Sequence, residues 1–100
     1  MQKIEINLNK SRDEILKDIE EIEKYFSSLS IEIEKDNTGR FEDIKPLMNA
    51  CCKGSLFLVK CAIRKSKEKD RIDKHIDFLK RSYAMFVKYY EKAEKEQEIE

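Results

Sequence analysis

Apolar side chains recur along this chain at steps of three and four residues, and that rhythm predicts helices packed lengthwise against one another. Ile15, Ile19, Ile22, Phe26, Leu29 and Ile33 are spaced 4, 3, 4, 3, 4. Ser11-Arg12-Asp13-Glu14 stands just before the first of them and reads as a capping box. The Ser11 hydroxyl would accept from the amide three residues on, and Glu14 would reach back to the free amide of Ser11. The far end of this segment is open to two readings. Ser27, Ser28 and Ser30 are weak helix formers, Ser30–Glu34 also alternates as a strand does, and Asp36-Asn37-Thr38-Gly39 is turn-like. Helix 1 therefore covers 11–29 or 11–35, with a small hairpin or irregular segment near 30–45 as the competitor.

Two interleaved stripes follow Pro46, a residue suited to the first turn of a helix. They are Met48, Cys51, Ser55, Leu58, Ala62 and Cys52, Leu56, Val59, Ile63. Two stripes make a broad apolar face, so helix 2, over 45–67, is expected to be touched from more than one side. Gly54 within it suggests a close helix crossing or a kink. Ile72, Ile76, Leu79, Tyr83, Phe86, Tyr90 and Ala93 repeat 4, 3, 4, 3, 4, 3 and define helix 3 over 71–97, with Asp70 as its candidate cap. Ahead of all three, Ile4, Ile6 and Leu8 alternate with polar residues in a 1–10 arm. The fold class expected is mainly α: an antiparallel, coiled-coil-like three-helix bundle with an extended N-terminal arm.

Composition agrees with that reading and narrows the function. At 100 residues the chain has room for one domain, and with two Gly and one Pro it has little punctuation for an all-β fold. Charged residues make up 42%, so most outward faces are ionic and the protein should be soluble. Net charge is zero, but it is unevenly distributed: residues 53–90 hold 11 Lys/Arg against 4 Asp/Glu, while residues 1–52 hold 8 against 12. Cys51, Cys52 and Cys61 are odd in number and lie in apolar sequence, which favours buried, reduced thiols and a cytoplasmic location. The first ten residues carry Lys3 and Glu5 and no apolar run, unlike a signal peptide. The uncharged run Leu56–Val59 is short for a membrane span, so no membrane partner is expected.

The residues able to do chemistry do not assemble. Arg71 and His75, the one histidine, share a helix face. Small helical nucleases of the HEPN type pair an Arg with a His at a slightly wider spacing, and Ser82-Tyr83-Ala84-Met85-Phe86 has a similar flavour. The spacing here is too short, and the pair reads as surface residues. The three cysteines lack the paired spacing of a zinc site, so no metal, cofactor, small-molecule substrate or enzymatic activity is expected.

What is left is surface for partners. Helix 3 has more apolar side chains than one seam needs, which makes Phe78, Met85, Tyr89 and the neighbouring Lys88 the candidate contacts for another protein or a second copy of this chain in a homodimer. The alternative is a small helical RNA- or DNA-binding subunit of a larger nucleoprotein complex. It would use the basic segment 53–90 through Arg64, Lys65, Lys67, Arg71, Lys74 and Arg81, with acids Glu68, Asp70, Asp73 and Asp77 interspersed.

Overall fold

The computed structural model describes residues 1–65 and 68–99, with side chains through Lys95. Three helices make up the bundle: α1 (Arg12–Lys35), α2 (Gly54–Lys65) and α3 (Lys69–Ile99). No strand occurs among the described residues.

α1 starts where the capping box sits. The Glu14 amide donates to the Ser11 hydroxyl at 3.3 Å, and that hydroxyl donates to the Glu14 carboxylate at 2.9 Å. The carboxylate thus meets the Ser11 hydroxyl, not its amide as expected. The helix continues through the serines to Lys35, which decides between the two readings of 30–45. Ile33 is buried, and its burial on the helical seam outweighs the weak propensity of Ser27, Ser28 and Ser30. The turn beyond is held by Asp36, whose carboxylate accepts from the Thr38 amide at 2.8 Å and pairs with the Arg40 Nε at 2.9 Å. Gly39 takes φ +80°, a left-handed conformation that favours glycine.

The second helical stretch begins earlier than the sequence suggests and changes type twice. A 3₁₀ turn at Glu42–Ile44 leads into a π-helical segment, Leu47–Lys53, which hands over to α2. The buried residues account for the π segment. Ile44, Met48, Cys52 and Leu56 are all buried and follow one another at steps of four. An α-helix rotates such a row by about 40° per step, enough to carry it off the core. The wider i→i+5 turn takes up that excess and keeps the row inward. Gly54 sits at the handover with ordinary helical angles, and a Cβ there would meet only the Asn49 carbonyl at 3.9 Å. It marks neither a close crossing nor a kink at its own position. By length and composition Glu42–Lys65 is apolar enough to cross a membrane. In the bundle its buried row lies between α1 and α3.

α2 approaches α3 closely because the residues between them are small. Ser55 and Ser82 are both buried and share a 3.4 Å hydrogen bond, and the Cys52 thiol faces the Ser82 carbonyl at 3.9 Å. α1 and α3 are held apart, with no Cα of one within 8 Å of the other among the described residues. A row of rings fills the gap: Phe26 to Tyr83 at 5.8 Å, Tyr83 to Phe86 at 6.5 Å and Phe86 to Tyr90 at 5.8 Å. Phe41, at the end of the 36–41 turn, stacks on Tyr90 at 4.9 Å and 6°, and the Arg40 guanidinium lies over the Phe41 ring, 4.5 Å from its centroid.

The arm closes over this wider seam. It has no regular secondary structure over residues 1–7, yet Ile4 is buried and Ile6 and Leu8 pack against the core. Its anchor is a ring of hydrogen bonds. The Gln2 amide donates to the Tyr25 hydroxyl at 3.1 Å, the Tyr25 and Tyr83 hydroxyls are 2.7 Å apart, and the Tyr83 hydroxyl donates to the Gln2 carbonyl. α3 begins at Lys69, so Asp70 lies in its first turn and not at the cap.

Candidate interaction surface

The seam of α3 points Ile76, Leu79, Tyr83, Phe86 and Ala93 into the core, with Ile72 and Tyr90 half-buried at its edge. Phe78, Met85 and Tyr89 follow each other at steps of seven and four, which keeps them on one stripe of the helix. That stripe is displaced from the core seam toward α2. Its side chains are 55%, 42% and 44% exposed respectively, and Lys88 is exposed beside them.

The stripe continues onto its neighbour. Met85 and Tyr89 line a shallow groove of about 400 Å³ whose opposite wall is Ile44 and Leu47, with Arg40, Asp43 and Lys92 at its edge. On α2, Leu58 is 46% exposed, although the stripe reading placed it in the core. The reason is the number of neighbours: α2 has α1 on one flank and α3 on the other, and among the described residues no helix covers its third flank. Two apolar stripes on α2 would need three neighbours to be covered.

The cations of the alternative set do not converge on a groove. Arg64 and Lys65 end α2, Arg71 and Lys74 lie in the first two turns of α3, and Arg81 is farther along; all five are exposed. Lys67 lies outside the described residues. Arg81 is held by Asp77 at 2.8 Å. Arg64, Lys65, Arg71 and Lys74 make no ion pair among the described residues, while Glu68, Asp70 and Asp73 stand between them in the chain.

The possible reacting groups stay separate. His75 is half-buried and has no hydrogen bond or ion pair to Arg71 among the described residues. Cys52 is wholly buried, and burial pushes its thiol up to about 12, so it is a core residue and not a nucleophile. Cys51 and Cys61 are free thiols at half-buried positions. No set of three or more His, Cys, Asp or Glu groups gathers as metal ligands would, among the described residues.

The residue that periodicity passes over is Phe57. At 65% it is the most exposed large apolar side chain described, on the flank of α2 away from the Phe78 stripe. It belongs to neither stripe of helix 2, and that misfit was the available signal. Compared with protein-family models, with curated proteins and with solved structures, the chain finds no match.

Proposed function

We propose that this chain is a non-catalytic helical interaction or regulatory subunit that self-associates through the outer stripe of α3. What supports the reading is one observation: Phe78, Met85 and Tyr89 fall on one helical stripe of α3 that the core leaves exposed, and Leu58 of α2 is exposed as well. A second copy offers the same row, so a two-fold arrangement lets each stripe cover the other. Lys88 and the Asp77–Arg81 pair border the stripe and suit the polar edge of such a contact.

Solution mass measured over a concentration series tests this. The parent chain is expected to shift from monomer to dimer, and Phe78→Glu or Met85→Glu to remain monomeric and to melt as the parent does at concentrations where the parent is monomeric, since both side chains are exposed. A parent that stays monomeric at the highest concentration removes the proposal.

A second reading, binding of RNA or DNA by the basic segment 53–90, is favoured by four exposed cations, Arg64, Lys65, Arg71 and Lys74, that make no ion pair among the described residues. It predicts binding to single strands that weakens steeply with added salt. Salt-independent binding, or none, removes it.

A further inference from the structure

The flank of α2 opposite the Phe78 stripe carries a second groove with a different chemistry. It lies between α1 and α2 and encloses about 300 Å³. Its floor is apolar, built from Phe26, Leu56, Phe57 and Cys61. The wall formed by α2 and the last residue of the π segment carries Lys53, Lys60 and Arg64, at positions −4, +3 and +7 from Phe57, so all three cations share the helix face on which Phe57 stands.

The charge on that wall is uncompensated to an unusual degree for this chain. From Ile44 to Lys67 the sequence contains no Asp or Glu at all, although acids and bases are equal in number over the whole protein. Among the described residues the sole acid lining the groove is Glu23 of α1, and it is engaged by Lys60 at 2.9 Å. Lys53 and Arg64 are exposed and have no ion pair among the described residues. An apolar floor with two cations at its ends, unpaired among the described residues, asks for an apolar ligand with negative charges at both sides.

We infer that this groove docks an acidic amphipathic helix of a partner protein. Its walls come from two neighbouring helical stretches, Glu23, Phe26 and Ser27 from one turn of α1 and Lys53 to Arg64 from the end of the π segment and α2, and leave a trough into which a partner helix can set its ridge. Lys53 and Arg64 are eleven residues apart, roughly 16 Å along the helix, which is the length of about three turns. Phe57 between the two cations offers an aromatic anchor within a charged rim.

A single nucleic-acid strand fits less well. Its charge recurs at every phosphate, so one phosphate must face Glu23, whereas a helix can set a neutral or basic side chain there. Phe57 is also alone as an exposed stacking platform on this flank, and sequence-tolerant strand binding relies on several.

Fluorescence anisotropy on the full chain tests the inference. The probe is a labelled synthetic peptide helix with Leu at i, i+4, i+7 and i+11 and Glu on both sides of that row. Its controls are a twin with Lys in place of each Glu, an oligouridylate, and vesicles of anionic phospholipid. The Glu peptide is expected to bind at least tenfold tighter than the Lys twin. Phe57→Ala, Lys53→Glu and Arg64→Glu should each weaken it at least fivefold while melting as the parent does, because all three side chains are exposed. Glu23→Gln should tighten it severalfold by releasing Lys60 and removing the one repelling charge. Phe78→Glu, which separates the copies in the self-association proposal, should leave peptide binding unchanged, so that either idea can fail alone. Equal affinity for the two peptides, binding indifferent to the Phe57, Lys53 and Arg64 substitutions, or tighter binding to the oligouridylate or the vesicles would overturn the inference.

Discussion

Replacing Tyr83 by Phe removes a single oxygen, and the structure places that oxygen where the N-terminal arm is tied to the bundle. The Tyr83 hydroxyl meets the Gln2 carbonyl and the Tyr25 hydroxyl, and the ring itself stays packed between Phe26 and Phe86. Each neutral hydrogen bond contributes about 0.5–1.5 kcal/mol net. Gln2 is exposed and Tyr25 half-buried, so water can reach the partners left behind and the loss should total about 1–2 kcal/mol. For a domain of this size that corresponds to roughly 4–16 °C in melting temperature. Urea unfolding followed by far-ultraviolet circular dichroism measures it, and an unchanged denaturant slope shows that only stability moved. Tyr25→Phe and the double variant complete a cycle, in which the bond shared by the two hydroxyls appears as a coupling of about 0.5–1 kcal/mol. The same hydroxyl has a signature in pH. Burial, and next its bond to Tyr25, raise the Tyr83 phenol above the ordinary value of 10.0. The folded protein therefore holds this proton after the unfolded chain has lost it. The associated stability is complete below pH about 10 and fades as pH rises from there toward the raised value. Tyr83→Phe lacks that component, so parent and variant should converge in alkaline solution. A Tyr83→Phe protein as stable as the parent, or additive with Tyr25→Phe, would refute the view that the tyrosines hold the arm in place.

Other consequences can be checked with the same assays. Phe86→Ala empties a wholly buried ring site between α1 and α3 and should cost about 3–5 kcal/mol in urea; a loss under about 1 kcal/mol would show that the rings do not carry that seam. Gly54→Ala should stabilise by about 0.5–1 kcal/mol, since its angles are helical and the added Cβ meets only an ordinary contact, and a destabilised variant would point to a need for glycine at the π-to-α handover. Thr38 first, and Arg40 next, hold the Asp36 carboxyl below its usual range, so its contribution is present above the ordinary carboxylate pKa and lost as pH falls through the depressed one. Asp36→Ala should then be less stable than the parent at neutral pH and match it in strong acid, as read from melting curves. Native alkylation should leave Cys52 unmodified while Cys51 and Cys61 react slowly, with mass spectrometry locating the adducts; rapid labelling of Cys52 would mean that the α2–α3 contact opens readily.

Residue spacing alone locates the three helices and most of their inward faces. A 3-4 spacing of apolar residues is a local property of one rod, so Ile19, Phe26 and Ile33 on α1 and Leu79, Tyr83 and Phe86 on α3 were legible as core without knowing what they touch. The candidate contacts Phe78, Met85 and Tyr89 were legible for the same reason, as apolar residues off the seam. Tertiary structure decided everything that depends on how many neighbours each rod has. Leu58 lies on a good stripe and is exposed because no helix among the described residues covers that flank of α2, while Ser82, on no apolar stripe, is buried because α2 and α3 come close. The length of α1 followed from Ile33 finding a core to enter, against the propensity of three serines. The π segment arose because four buried residues at steps of four must face one way, a demand that exists only once α1 and α3 define where inward is. Phe57 and its cations share a face in the sequence, but the groove between them and α1 is made by packing, which no periodicity within a single helix encodes.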